Sequence, residues 1–217
     1  MRSAVCLHGL SVGSNDKGDK VAYDQSFQTL KKNIIEPNNA DVFLHTWNAD
    51  QNSIRDLKQL YQPVSFICEE QKLFDITISK YHSTKSRWYS YMKSVELKTK
   101  HEEDNDFVYD AVMVARFDNC FLTPILFSKC DPNCFYSGEW VLPHSIMGFI
   151  DYWFFSNSAM MTEYSNLYHK IDEYLDSGQP LSSHVLSKWH FLQKFSEENL
   201  RYSGKEKVDW GLERQVL

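Results

Sequence analysis

Short apolar runs of strand length alternate with amphipathic segments along the chain. The runs lie at residues 4–13, 40–47, 64–68 and 111–122. Runs of this length, bounded by turn-forming residues, are typical of buried strands. The sequence therefore predicts four strands, of which the last has apolar residues on both faces and should be central.

Between and after these runs, apolar residues recur every three to four positions, which is the period of a helix with one buried face. The pattern predicts helices at residues 23–35, 53–61, 83–100, 159–176 and 182–195. Strands that alternate with helices form βαβ units with parallel pairing. We predict an α/β fold with a mostly parallel or mixed central sheet flanked by helices.

The chain length bounds the number of domains. At 217 residues, the sequence suits one domain with one sizeable core. We assign this domain to residues 1–205 and predict that residues 206–217 are a tail or the start of a linker.

The fourth run reads "AVMVARFDNCFL" and ends in two opposite charges. Arg116 and Asp118 are two positions apart, so on a strand both leave from the same face. The carboxylate could bind a divalent cation that bridges a diphosphate, and the guanidinium could bind phosphate. A structural ion pair at the strand end explains the two residues equally well.

Polar or glycine residues directly follow the apolar runs at 8–13, 45–50 and 116–119, and Asp151 interrupts another apolar run. In an open α/β sheet, ligands bind outside the carboxyl ends of the strands. We therefore expect these four places to meet in one cleft.

The stretch "HGLSVG" at 8–13 does not match known phosphate loops. Neither G-x-x-x-x-G-K-[ST] nor G-x-G-x-x-G fits it, which weakens ATPase and NAD-dependent readings. Gly9 and Gly13 would let backbone N–H groups approach a nucleotide closely. A simple tight turn is an equally good interpretation.

Charge and composition exclude some classes of protein. A net charge of -6 argues against non-specific nucleic-acid binding, which needs a basic face. No stretch reads as a signal peptide, and the longest apolar run, 146–155, is too short to span a bilayer. Five scattered cysteines, without the ligand pairs of a structural zinc site, suggest reduced thiols. We expect a soluble, cytoplasmic protein.

Asp151 lies among apolar and aromatic residues in "MGFIDYWFF". A buried carboxylate is costly unless it has a partner or a role. We predict that Asp151 is the catalytic base that takes a proton from an acceptor hydroxyl, with a pKa raised by burial. A structural cap near the strand is the alternative.

Basic and hydroxyl residues open the helix predicted at 83–100. Lys85, Ser86 and Arg87 lie where the helix N-terminus favours anions, so Arg87 is a candidate phosphate or sugar contact. A solvated basic turn is the other interpretation.

Two blocks of the chain resemble a known enzyme family. "YDQSFQTLKKNIIEPNNADVFLHTWN" and "YDAVMVARFDNCF", covering about residues 21–48 and 109–121, are similar to nucleotide-sugar glycosyltransferases of capsule and viral glycan pathways. The segment "SSHVLSKWHF" agrees as well. The resemblance implies a single GT-A (Rossmann-like) domain that transfers a hexose or deoxyhexose. The donor would be a nucleoside diphosphate sugar, with UDP as first choice, and the acceptor a hydroxyl of a glycan, such as one on a viral capsid glycoprotein.

In this family a D-x-D motif normally binds the metal and the diphosphate. The resemblance places Asp118 at the second acidic position, with Mn²⁺ or Mg²⁺ as cofactor, and Arg116 at the first, where it would offset charge on the departing diphosphate. A literal D-x-D occurs at 104–106, but it precedes the strand instead of following it. We therefore place the site at Asp118.

The resemblance also assigns contacts elsewhere. A C-terminal histidine, either His190 or His184, would be a further metal ligand, and His144 is a candidate on the acceptor side. Trp47 fits the core equally well. The implied contacts to base and ribose are His8, Gly9, Leu10, Gly13, Thr46 and Trp47.

Two other functions remain open from the sequence. Another phosphate-handling α/β enzyme, such as a sulfotransferase or nucleotide kinase, would need a phosphate loop with a lysine. A non-catalytic sugar-binding or nucleotide-binding module would bind the same ligands without turnover.

Overall fold

A computed structural model describes residues 1–14, 20–140 and 148–212 of the chain. His144, a predicted acceptor-side residue, lies outside these ranges. The helices and strands follow in this order: β1 Ser3–Gly9, β2 Val12–Ser14, β3 Lys20–Ala22, α1 Tyr23–Leu30, α2 Glu36–Asn38, β4 Ala40–Trp47, α3 Gln51–Tyr61, β5 Ser65–Glu69, α4 Ser79–Asp104, β6 Ala111–Arg116, β7 Asn119–Phe121, β8 Phe135–Glu139, β9 Trp153–Ser156, α5 Ser158–Ser165, α6 Leu167–Asp176, α7 Ser183–Lys194, β10 Leu200–Lys205 and β11 Trp210–Leu212.

Seven strands form one mixed sheet in the order β10-β8-β9-β6-β1-β4-β5. β6, β1, β4 and β5 are parallel to one another, whereas β9 runs antiparallel to both β6 and β8. The predicted α/β fold, with a mostly parallel or mixed sheet, is confirmed. The strand at 111–116 has a neighbour on each side, as its apolar pattern predicted.

The side chains of β6 alternate between two apolar clusters, one on each face of the sheet. Val112 and Val114 pack on the face covered by α4, while Met113 and Ala115 belong to the cluster on the opposite face. Because successive side chains of a strand point to opposite faces, one apolar segment of β6 serves two layers. This explains why β6 lacks the polar face of a half-exposed strand.

The helix α4 covers the parallel half of the sheet. Its residues Trp88, Tyr91 and Val95 are buried, which confirms the predicted apolar face. The helix begins at Ser79, earlier than the predicted residue 83, and continues through the acidic stretch to Asp104. This extra length brings its first turn to the carboxyl end of the sheet.

Two regions differ from the predicted elements. The helix predicted at 159–176 is divided into α5 and α6 at Asn166. The segment between β7 and β9, for which no strand was predicted, contains β8, a member of the sheet. Short strands with mixed side chains carry a weak period-2 signal, so neighbouring strands decide them more than local sequence does.

The segment after β10 packs against the body of the protein. β11 pairs with β7, and Trp210 is fully buried. Gly138 allows this approach, since a Cβ there would lie 2.3 Å from the Trp210 indole. Residues 206–212 are therefore not an extended tail, while 213–217 lie outside the described residues, and the domain bounds stay a prediction.

Two general expectations concern membranes and thiols. Across the described part of the chain, no helix has the length and apolarity needed to cross a membrane. The five cysteines are free thiols.

Candidate functional site

A cavity of about 630 Å³ lies at the edge of the sheet where β1, β4 and β6 end. His8, His45 and Arg116 share one register across these strands, so their side chains occupy one row. The cavity is lined by these predicted residues: His8, Gly9, Leu10, Trp47, Arg87, Arg116, Asp118 and Asp151.

Asp151 reaches this edge because of the direction of β9. The strand runs antiparallel to β6, so its beginning lies beside the carboxyl end of β6. Asp151 comes two residues before β9. A base predicted from the second half of the chain therefore meets residues from the first half.

Arg116 and Asp118 form a bidentate ion pair in the wall of the cavity. The guanidinium Nε donates to Asp118 Oδ1 at 2.8 Å, and Nη2 donates to Oδ2. The guanidinium also lies over the Tyr152 ring, 5.1 Å from its centroid. The pair is thus a structural contact at a strand end that also lies in the cavity wall, and its binding of a diphosphate stays a prediction.

A second ion pair joins α4 to the loop before β9. The Arg87 guanidinium contacts Asp151 Oδ2, and His184 Nδ1 lies 3.4 Å from Asp151 Oδ1. Asp151 is only 2% exposed. We predicted a buried carboxylate in apolar surroundings, but the structure places a cation against it, so desolvation is not the only influence on this residue.

These charges act on one another across the cavity. Burial and then the charge of Arg116 lower the pKa of Arg87 to about 9, with Asp118 opposing them. Burial, followed by Arg87 and Arg116, holds the pKa of His8 well below its usual range. At neutral pH the wall therefore contains a charged Arg87 beside a neutral His8 imidazole.

The turn at Gly9 forms part of the cavity wall, but the Gly9 amide N–H is not free. Gly9 has a φ of 99°, a conformation that L side chains rarely adopt. Its N–H donates to Ser90 Oγ at 2.7 Å, so it is already bonded within the protein. The Gly9 N–H is therefore not free to bind a nucleotide in this structure, although Gly9 itself lines the cavity.

Trp47 belongs to the core, as one interpretation predicted, whereas its contact with a nucleotide stays a prediction. It is 1% exposed and stacks on Tyr89, with ring centroids 5.4 Å apart. It also lines the cavity. One edge of a core indole is therefore available to a ligand.

Three predicted site residues are not among those that line this cavity. Gly13 lies in the β2–β3 hairpin, and Thr46 is buried with its hydroxyl bonded to Ser11 Oγ at 2.8 Å. His190 is buried between helices, where Nδ1 meets the Tyr174 hydroxyl at 2.8 Å and Nε2 faces Glu163 O at 3.5 Å. We predicted that His190 ligates a metal beside Asp118, and this placement contradicts it.

Some of the remaining candidate residues lie at the cavity and others lie away from it. Ser86 lines the cavity, whereas Lys85 pairs with Asp172 at 2.9 Å. Asp104, from the literal D-x-D, lies at the far end of α4 and pairs with Lys100. His184, the alternative histidine, lies beside Asp151.

Sequence reasoning missed several residues of the cavity. Lys80 and Gln71 line it, but they lie outside the helix bounds that we predicted. Tyr152 was overlooked although it follows Asp151. Ser90, which does not line the cavity but bonds to Gly9 in its wall, was missed because a serine on the buried face of a helix carries no local signal of a tertiary hydrogen bond.

The donor groups present do not fit a metal ion held by the protein. Divalent cations are usually bound by several oxygen ligands, with more than one carboxylate where affinity is high. Among the described residues, no cluster of three His, Cys, Asp or Glu side chains could hold an ion. Both oxygens of Asp118 already accept from Arg116. The predicted Mn²⁺ or Mg²⁺ site therefore finds no donor set in this arrangement.

No family model and no curated protein matches the chain. Among solved structures, the apo-form glycosyltransferase GlyE of Streptococcus pneumoniae TIGR4 is similar, with a TM-score of 0.47 and 13% identity over 94% of this chain and 44% of that chain. This chain thus spans less than half of the length of GlyE. The likeness is too distant to transfer a function, and none of these comparisons bears on a viral or capsid role.

Proposed function

We propose that this protein is a glycosyltransferase that moves a sugar from a nucleoside diphosphate sugar to a hydroxyl group of a glycan. The observation that carries the proposal is the cavity, where two arginines and two buried carboxylates lie at the carboxyl edge of a mostly parallel sheet. Its volume of about 630 Å³ lies in the range of small-ligand sites. Binding sites in open α/β folds occupy this edge.

The arginines suit the diphosphate. Guanidinium groups bind phosphate oxygens in pairs, with charge-assisted hydrogen bonds. Arg116 and Arg87 come from β6 and α4 and line the same cavity. Each is now paired with a carboxylate, so a diphosphate would compete with Asp118 and Asp151 for the same N–H donors.

Asp151 suits the base. In an inverting transfer the acceptor oxygen forms a bond to the anomeric carbon, the sugar–phosphate bond breaks, and the acceptor proton passes to a carboxylate. If Arg87 turns toward the diphosphate, Asp151 loses its cationic partner and becomes the stronger base. Arg116 would then offset charge on the leaving diphosphate.

The finer assignments rest on the sequence resemblance. UDP is the first choice of nucleotide, and a hexose or deoxyhexose the sugar. A glycan of a capsid glycoprotein as acceptor, and a cytoplasmic location, are further parts of the proposal. No step is assigned to a metal, because the described donor groups do not fit one.

Thermal unfolding with a panel of ligands tests the proposal. UDP, GDP, dTDP and their sugars are compared at millimolar concentration, each with Mn²⁺ and with EDTA. A ligand that binds the folded state raises the melting temperature. We expect stabilisation by at least one nucleoside diphosphate in EDTA, and Arg116→Ala should lose it.

Two outcomes would count against the proposal. If no nucleoside diphosphate stabilised the protein, it would be wrong. If the ligand bound but no transfer or donor cleavage followed with any glycan acceptor, the protein would be a binding module instead. Stabilisation only with Mn²⁺ would show that Asp118 leaves Arg116 to ligate an ion.

A further inference from the structure

A chain of hydrogen bonds connects the cavity to the protein surface through buried side chains. The Gly9 N–H donates to Ser90 Oγ at 2.7 Å. Ser90 Oγ lies 2.7 Å from His45 Nδ1, and His45 Nε2 lies 3.0 Å from Glu69 Oε1. The four groups belong to four elements, β1, α4, β4 and β5.

The two ends of the chain together set the direction of its hydrogen bonds, because the Gly9 amide N–H only donates and the Glu69 carboxylate only accepts. An amide N–H can only donate, so Ser90 Oγ accepts from Gly9 and its own hydrogen is available for His45 Nδ1. With Nδ1 as acceptor, the neutral ring carries its proton on Nε2 and donates it to the Glu69 carboxylate. Every group in the chain is satisfied in this arrangement.

Burial makes the arrangement specific. His45 and Ser90 are fully buried, where an unsatisfied polar group is costly. The Glu69 side chain is 34% exposed and ends the chain at the surface. Gly9, at the other end, lines the cavity with His8 and Leu10.

The trio has the composition of a nucleophile, a base and an acid, but it cannot act as one. Ser90 has no exposed surface, and its oxygen accepts from Gly9. No substrate carbon can reach it without unfolding of the turn. Its function must therefore be exerted through Gly9.

We infer that Ser90, His45 and Glu69 are positioning residues that hold the turn at His8–Leu10 in the form that receives the donor nucleotide. The inference rests on the proposed function. Loss of the Ser90 hydroxyl frees the Gly9 amide and lets the turn move, which lowers donor affinity without touching the reacting groups. Turnover at saturating donor should stay within about twofold of wild type, because Asp151 and Arg116 are unchanged.

The chain offers a matched control for Ser90→Ala. Ser94 is also fully buried on α4, but its hydroxyl donates only to Tyr91 O, at 2.7 Å, within the same helix. Ser94→Ala therefore removes a buried serine hydroxyl without reaching the cavity. At the surface, Glu69→Gln keeps an oxygen that accepts from His45, whereas Glu69→Ala removes it.

The test compares UDP binding by calorimetry across these four variants. We expect Ser90→Ala to weaken binding about tenfold and Glu69→Ala about threefold, with Ser94→Ala and Glu69→Gln close to wild type. Hydrogen exchange of the Gly9 amide in the ligand-free protein should be faster in Ser90→Ala than in Ser94→Ala. If Ser90→Ala does not fold, the comparison of Glu69→Ala with Glu69→Gln tests the inference instead.

The possible failures can be told apart. Equal UDP affinity in wild type, Ser90→Ala and Glu69→Ala, with unchanged Gly9 exchange, would overturn the positioning role and leave the proposed function standing. Equal losses in Ser90→Ala and Ser94→Ala would show a general effect of α4 and overturn it too. Absence of binding of UDP, GDP and dTDP by wild type would overturn both proposals.

Discussion

Two of the regions in which this protein buries charged side chains arrange them differently. Lys98 is fully buried in α4 and donates to Glu102, Ser158 and Thr162 at 2.7, 2.5 and 3.1 Å. Glu102 in turn accepts from the Tyr109 N–H at 2.7 Å. This interior pair is closed, since its donors and acceptors are satisfied by the protein.

The ion pairs in the cavity differ from the interior pair because a ligand can reach them. Arg116, Asp118, Arg87 and Asp151 line a space large enough for a ligand, and their partners can be exchanged for a diphosphate. Burial of a charge therefore does not by itself indicate function. The difference lies in whether the charged groups have a competing partner that can reach them.

Removal of the Asp151 carboxylate tests most directly whether the cavity ion pairs differ in function from the interior pair. Asp151→Asn should reduce turnover by about 10² to 10⁴-fold, because the acceptor proton loses its carboxylate. UDP affinity should stay within a few-fold of wild type. Release of nucleoside diphosphate in the presence of glycan acceptors measures the first quantity and calorimetry the second. Asp172→Asn, which removes a carboxylate paired with Lys85 outside the cavity, is the control.

Equal turnover in Asp151→Asn and wild type would remove Asp151 from the reaction. Asp151 would then be a structural partner of Arg87. The cavity pair would resemble the interior one.

The matching prediction for the interior pair concerns Lys98. Lys98→Met leaves the Glu102 carboxylate buried without its cation, which should lower the free energy of unfolding by about 3 to 5 kcal/mol. UDP affinity should not change in the folded protein. Urea unfolding with and without UDP measures both effects. A loss of UDP binding at unchanged stability would show that the interior pair is coupled to the site.

Buried histidines in the interior and in the cavity make the stability of the protein depend on pH. Burial lowers the pKa of His190 from 6.5 to about 4, so between these values the unfolded chain binds more protons than the native one. Stability should therefore fall as the pH drops through this window, by up to about 3 kcal/mol for this residue. His190→Gln should flatten the decline in acid unfolding curves measured from pH 7 to 4.

His8 and His45 also have lowered pKa values, so part of the acid decline should survive in His190→Gln. UDP, by binding next to His8, should reduce only that surviving part. An unchanged acid profile in His190→Gln would mean that His190 is not held neutral in the interior.

The smallest expected effect concerns Arg116. Arg116→Ala should weaken UDP binding about 10- to 100-fold, as expected for loss of charge-assisted hydrogen bonds. Arg116→Lys should recover only part of it, because an ammonium lacks the planar fork of a guanidinium. Calorimetry at two salt concentrations is the measurement. Tighter binding in Arg116→Ala with Mn²⁺ would show that Arg116 blocks a cation site on Asp118.

The sequence predicted the parallel half of the sheet well because its signals are local. Apolar runs of strand length gave β1, β4, β5 and β6, and the helical period gave the buried face of α4. The rule that ligands bind at the carboxyl ends of strands then brought His8, Arg116 and Asp118 together. Each of these steps needs only a window of a few residues.

The other half of the protein depends on contacts distant in sequence. β8 and β11 are short, and their pairing with β9, β10 and β7 is set by tertiary packing. The partner of Asp151 is Arg87, sixty-four positions earlier, and the Gly9–Ser90 bond spans eighty-one positions. Periodicity cannot report such pairs, which is why the charged residues of the cavity and the local Arg116–Asp118 pair were foreseen and the Arg87–Asp151 pair was not.

The contact between Trp210 and Gly138 has a consequence for the order of synthesis on the ribosome. The parallel strands β1, β4, β5 and β6 are all translated by residue 116, so this half can begin to collapse while the chain is still growing. The surface that Trp210 covers at Gly138 stays uncovered until Trp210 has left the exit tunnel. A stalled or truncated translation product would therefore expose this surface to the chaperones that bind apolar surface in nascent chains.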